Sequence, residues 1–125
     1  MWIYTPKGAY SIVELQDNDV PHDQDGSSIL MCRARRSEHL EALGYTQMQI
    51  VNTPSNDYPF RVFASRTEIS DRIRSVVFGI NYGNFKDAAE KEGIPRGMLW
   101  DIWNATAESL DSRSPHNYYG DPTNE

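Results

Sequence analysis

The hydrophobic pattern of this chain changes period once, near its middle, and that change restricts the folds open to it. Up to Ala64 the apolar residues come in short runs that alternate with polar ones, as in half-buried strands. From Ser65 onward they recur every three or four residues, as on one face of a helix. Trp2-Ile3-Tyr4 and residues 9–15 predict a hairpin turned by Pro6-Lys7-Gly8. Residues 29–35, 47–51 and 58–64 predict three more strands, with Pro59 suited to an edge or a first strand position. Between them Ser37 to Gly44 predicts a short helix capped by Ser37 and stopped by Gly44, with His39 facing solvent.

The second half predicts three helices. Ser65-Arg66-Thr67-Glu68 has capping-box spacing, and Ile69, Ile73, Val76 and Val77 follow on one face. The opposite side of that helix, with Arg66, Asp71, Arg72 and Arg74, reads as a solvated face with local ion pairs. Asn84, with Asp87 three residues on, predicts the capped start of a helix running to about Gly93. Ile94-Pro95-Arg96-Gly97 breaks the pattern, and from Met98 the residues Leu99, Ile102, Trp103, Thr106, Ala107 and Leu110 form a stripe that must bury against something. Trp100 falls outside the centre of the stripe and is the better candidate for an exposed or interface ring. Strands first and helices after predict an α+β fold, a small antiparallel sheet with three to four helices packed on one face. A chain of 125 residues suits one core, so residues 1–111 are expected to form a single ligand-binding domain. Residues 17–28 form an acidic loop insertion within it, and 112–125 a disordered tail. The short sheet with its open edges, and the surplus of aromatic residues, predict homo-oligomerisation.

Charge and residue choice exclude several functions. A net charge of −6 and a pI of about 5.0 argue against a surface for duplex nucleic acid or an anionic membrane. The basic residues are nine Arg and three Lys, and the Arg excess favours local, bidentate grip of a small polyanion. With Cys32 as the lone cysteine no internal disulfide forms, and His22, His39 and His116 show no metal-ligand spacing, so no metal site is expected. Asp17, Asp19, Asp23 and Asp25 lack the glycine and closing glutamate of a calcium loop. No nucleophile elbow and no phosphate-binding glycine loop occurs, so neither catalytic residues nor a cofactor are expected. Strand-like residues at Trp2 and the lack of a long apolar run predict a cytoplasmic protein without signal peptide or membrane span.

The residues left over are suited to binding. Ile80-Asn81-Tyr82-Gly83-Asn84-Phe85-Lys86 holds two amides and two aromatic rings. It can be a helix connection capped by Asn84, or a ligand corner in which Tyr82 or Phe85 stacks on a planar group while an amide reads its polar edge. Strand alternation puts Arg33 and Arg35 on one face, either a solvated pair or a phosphate clamp.

Several blocks together resemble the anti-Thoeris sponge proteins of phages. They are Met1-Trp2-Ile3-Tyr4-Thr5 leading to Tyr10-Ser11-Ile12-Val13, Met31-Cys32-Arg33-Ala34-Arg35, Asp57-Tyr58-Pro59-Phe60-Arg61, Asn81-Tyr82-Gly83-Asn84-Phe85-Lys86 and Ile102-Trp103. The resemblance covers roughly Met1 to Ala107; Asn81 stands where such sequences usually have aspartate, and the acidic stretch from Asp17 to Gly26 is particular to this chain. It implies a protein that performs no reaction. Sponges of this kind bind cyclic ADP-ribose signals made by the TIR protein of the Thoeris defence, at pockets bracketing a dimer interface. Some assemble into hexamers, trimers of dimers, that also bind cyclic oligonucleotides. The resemblance implies Phe85, Tyr82 and Asn84 for adenine stacking and polar readout, with Asn81 beside them, and Arg33, Arg35 and Arg61 for phosphates. Two other readings stay open: an enzyme degrading a nucleotide signal with help from Asp57, Tyr58 and Arg61, and a protein-binding inhibitor of a bacterial defence protein acting through its sheet edge and Trp100.

Overall fold

Hairpin chemistry starts the fold. In the computed structural model, which describes residues 1–16 and 28–110, β1 (Trp2–Thr5) and β2 (Gly8–Glu14) pair in antiparallel register around a Pro6-Lys7 turn. The Thr5 hydroxyl accepts the Gly8 N–H at 3.1 Å and donates to the Gly8 carbonyl at 2.9 Å, which closes the turn. β3 (Leu30–Ala34), β4 (Val51–Asn52) and β5 (Phe60–Ala64) complete a five-stranded antiparallel sheet of order β1-β2-β3-β5-β4. The expected acidic loop, apart from Ser28, and the expected tail lie outside the described residues.

Four helices join the sheet: α1 (Ser37–Ala42), α2 (Arg66–Phe78), α3 (Phe85–Lys91) and α4 (Arg96–Leu110). The fold is therefore α+β. Pleating sends Tyr10, Ile12, Cys32, Ala34 and Val62 to one face, where Leu40 of α1, Ile69 of α2, Leu43 and Tyr45 complete the core. Ser65 caps α2 as the sequence predicts, its side chain accepting the Glu68 N–H at 3.1 Å. Of the α2 stripe, Ile69, Ile73 and Val76 meet the core, whereas Val77 is exposed. Ala89 and Leu99 are the buried residues of α3 and α4 and lie outside that core cluster. The two helices pack on each other, and Arg96 joins them by meeting Asp87 at 2.9 Å and Glu90 at 2.8 Å.

Several local expectations are corrected. Residues 47–50 do not extend as a strand, because the Gln49 side chain accepts the Thr46 N–H at 2.9 Å and the Gln49 N–H bonds the Thr46 carbonyl at 3.0 Å, closing a turn. Strand pairing begins only at Val51. Ser37 does not cap α1: its hydroxyl bonds Glu38, and Arg36 holds the cap position without a side-chain capping bond, its guanidinium donating to the Glu38 carboxylate instead. Arg96 and Gly97, expected as a break, are the first residues of α4, because Pro95 suits a helix start and Leu99 bonds back to its carbonyl. The α4 stripe is only partly buried, with Trp103 and Leu110 more than half exposed.

His39 does not face solvent. Gly8 lets the imidazole lie against β2, since a Cβ there would stand 2.7 Å from the His39 ring. Nδ1 accepts the Ala9 N–H at 3.3 Å, which only an unprotonated nitrogen can do, and the Tyr10 hydroxyl donates to the His39 carbonyl at 2.6 Å. Burial holds the imidazole pKa below its ordinary 6.5; the Arg36 charge acts in the same direction and Glu38 opposes it. The unfolded chain thus binds the proton more readily, so this contribution to stability is full above the unfolded pKa and declines as pH falls through it. Denaturant titrations at about pH 7.5 and about pH 5.5 are expected to show a lower midpoint in acid, and His39→Gln is expected to lessen that drop. Separately, Ser65→Ala is expected to cost about 1 kcal/mol in the same titration through loss of the α2 cap.

Candidate functional site

The residues from Gly79 to Asn84 connect α2 to α3 and form one wall of a cleft. Asn84 takes extended backbone angles (φ −136°, ψ 112°), and its side-chain oxygen accepts the Asp87 N–H at 3.0 Å. That bond commits the oxygen to α3 and leaves the amide nitrogen, a donor only, for other partners. Asn81 is exposed and has no hydrogen-bond partner among the described residues. Tyr82 is half-buried between them.

Opposite this corner stand the β1–β2 turn, the end of α1 and one side of α2. Together they enclose a cleft of about 1130 Å³. Asn81, Tyr82, Gly83 and Asn84 line it, as do Lys7, Arg72 and Lys91 among the cations and Glu68, Asp71, Asp87 and Glu92 among the carboxylates. Such a mixed lining suits a ligand that carries hydroxyl donors as well as negative charge, since carboxylates accept from hydroxyls and cations meet phosphates.

Arg72 was expected on a solvated helix face and is instead half-buried in the cleft wall. Its Nη1 donates to the Leu43 carbonyl at 2.8 Å, its guanidinium lies 3.9 Å from the Tyr45 ring centroid, and its Nε stands 3.8 Å from a Glu68 carboxylate oxygen. Gly44 makes room for it, because a Cβ at that residue would come within 2.7 Å of Nη1, and its φ of +93° also favours glycine. The Tyr45 hydroxyl, which donates to Glu68 at 3.1 Å, has its pKa raised, first by burial and then by the Glu68 charge. Glu68 and Arg72, at i and i+4, are visible in the sequence. What faced them was not, because Tyr45 and Leu43 arrive from a different element.

The other sequence candidates fall elsewhere. Phe85 opens α3 and does not line the cleft. Arg33, Arg35 and Arg61 lie on the sheet face away from α1 and α2, so within one chain they do not join the Asn81–Asn84 corner. They gather instead around Tyr58: the Arg33 and Arg35 guanidinium carbons lie 4.9 and 4.7 Å from its ring centroid, and Arg61 donates to its carbonyl at 3.1 Å. Among the described residues no group of three or more His, Cys, Asp and Glu side chains is placed to hold a metal ion, and no helix is long and apolar enough to cross a membrane.

No family model, curated protein or solved structure matches this chain.

The two roles of Asn84 separate by substitution. Asn84→Ala is expected to lower the protection of α3 amides in hydrogen exchange by about 1 kcal/mol, whereas Asn84→Asp keeps a capping oxygen at a helix N-terminus and is expected to retain it.

Proposed function

We propose that this protein sequesters a cyclic ADP-ribose derivative in the cleft beside Asn81–Asn84 and leaves it chemically unchanged, and that it thereby acts as a phage counter-defence sponge against Thoeris-type immunity in the host cytoplasm. The observation that carries this reading is the meeting, in one cleft, of a polar-aromatic corner with both cations and carboxylates. Tyr82 offers a ring for the base, the Asn81 amide and the Asn84 nitrogen read its edge, Glu68 and Asp71 accept from ribose hydroxyls, and Lys7, Arg72 and Lys91 meet the diphosphate. The volume of about 1130 Å³ is ample for a ligand of dinucleotide size. The resemblance of several sequence blocks to anti-Thoeris sponges supports the same ligand class.

Self-association belongs to this proposal. Val77, Phe78 and Ile80 at the end of α2 and Met98, Trp100, Trp103 and Leu110 on α4 leave apolar surface exposed, which a second copy of the chain would bury. One observation favours the protein-binding alternative: the Trp100 and Trp103 rings stack 5.4 Å apart and both are about half exposed. Capture of a stoichiometric host protein together with an unoccupied cleft would support that alternative.

The experiment incubates the protein with the TIR-generated signal, removes free ligand, denatures the protein by heat and assays what is released. Intact, active signal at about one equivalent per chain is the expected result. Recovery of a cleaved product would identify an enzyme instead, and absence of binding would overturn both. Asn84→Asp, which keeps the cap but replaces the amide donor with a charge, is expected to weaken binding by about tenfold or more.

A further inference from the structure

Two walls of the cleft meet at one imidazole. The β1–β2 turn gives the cleft Thr5, Pro6, Lys7 and Tyr10, and the end of α1 gives it Ala42 and Leu43. Behind both stands His39, a residue of α1 whose ring lies against β2. Pairing of β2 with β3 ends at Ser11 and Arg33, so Ala9 lies past the last strand pair on that side. His39 Nδ1 accepts the Ala9 N–H instead, at 3.3 Å, and the imidazole carries the ladder of the sheet one step beyond β3.

Further contacts fasten the same joint. The Tyr10 hydroxyl donates to the His39 carbonyl at 2.6 Å, and the two rings meet edge to face with centroids 6.4 Å apart. Gly8 makes the approach possible, since a Cβ there would stand 2.7 Å from the His39 ring and 2.8 Å from the Tyr10 hydroxyl. These contacts join α1 to the strand that follows the turn, so they set how the two cleft walls stand to each other. The Ala9 bond depends on protonation, because an imidazolium carries N–H on both nitrogens and offers Ala9 a donor where it needs an acceptor. From the sheet, the titratable groups on this side are Tyr10 and Cys32, and burial pushes each of them up to about 12, so both stay neutral. Arg36 and Glu38, exposed at the start of α1, act on the ring in opposite directions.

We infer that His39 is a positioning residue for the cleft, and that the proton it takes up in acid loosens the joint between the β1–β2 turn and α1. A ligand held by both walls then binds best to the neutral imidazole, and its affinity declines as pH falls through the titration of His39, which lies below the ordinary 6.5. By linkage, a ligand that closes on both walls makes His39 harder to protonate. An anionic ligand acting through charge alone would favour the imidazolium and bind more tightly in acid, so the direction of the pH dependence separates the two effects. The consequence for affinity rests on the sponge reading of the cleft; the joint itself does not.

NMR of the full chain without ligand follows the joint between about pH 7.5 and about pH 5.5, through the amide shifts of Lys7, Gly8 and Ala9 on one wall and of Ala42 and Leu43 on the other. All are expected to move with the midpoint of the His39 ring while the circular dichroism spectrum stays unchanged. His39→Gln, whose side-chain oxygen accepts an N–H but takes up no proton in this range, is expected to flatten those movements. Gly8→Ala is expected to displace the ring and return its titration toward the ordinary imidazole range. The TIR-generated signal is the ligand probe: it is expected to bind the unsubstituted protein about threefold or more weakly at the lower pH, with a smaller difference in His39→Gln. Wall amides that ignore the His39 titration, or that titrate alike in His39→Gln, would overturn the inference, and so would binding that tightens in acid. The ring and amide midpoints are read in the unsubstituted protein, which keeps the test decisive if a variant folds poorly. Failure of the signal to bind at either pH counts against the sponge reading alone, because the amide titration uses no ligand.

Discussion

The pleat of β3 is the constraint on which the rest of the molecule depends. β3 is the central strand, with β2 on one side and β5 on the other, and its residues alternate between two environments with nothing in common. Cys32 and Ala34 point into the core and are fully buried, while Met31 and Arg33 point to the opposite face, away from α1 and α2. Burial pushes the Cys32 thiol pKa up to about 12, so it behaves as a small apolar side chain rather than a nucleophile. Shifting the strand by one residue would place arginines in the core, and the desolvation of unpaired cations makes that register untenable.

Because one face is fixed as core, α1 and α2 have to lie there. Leu40 is the largest fully buried side chain of α1, and α2 contributes Ile69 with Ile73 and Val76. The cleft follows from this packing. α2 turns one side to the core and leaves Glu68, Asp71 and Arg72 along a wall that the β1–β2 turn and α3 complete. The end of α2 near Gly79 then directs Asn81 and Asn84 back over that wall, so the corner owes its position to a helix whose apolar stripe is anchored three turns earlier.

The second half of the chain is joined to the first more lightly. Arg96 ties α3 to α4, but it is more than half exposed, and solvent screening limits what such pairs contribute. Apolar surface remains uncovered on α4 and at the end of α2, and again on the open sheet face, where the arginine cluster sits amid aromatic rings. Exposed apolar area of this kind is what interfaces bury, and the two faces differ in chemistry: one is apolar alone, the other apolar with positive charge.

Elements whose signals are local are legible in the residues themselves. The hairpin around Pro6-Lys7, the alternation of β3 and β5, the Ser65 and Asn84 caps and the α+β order all follow from contacts within a few residues, and each appears in the structure. Where a competing local contact was stronger the reading failed: Gln49 folds back on Thr46, and Ser37 bonds Glu38 instead of capping α1. Which side chains share a site depends on how distant elements pack. Arg33, Arg35 and Arg61 look like partners for Tyr82 and Asn84 in a list of residues, yet the sheet stands between them. Arg72 looked solvated, yet it closes the cleft against Tyr45 and Leu43. Periodicity tells which side of its own element a residue occupies; what stands opposite that side is set by long-range packing, which no local pattern encodes.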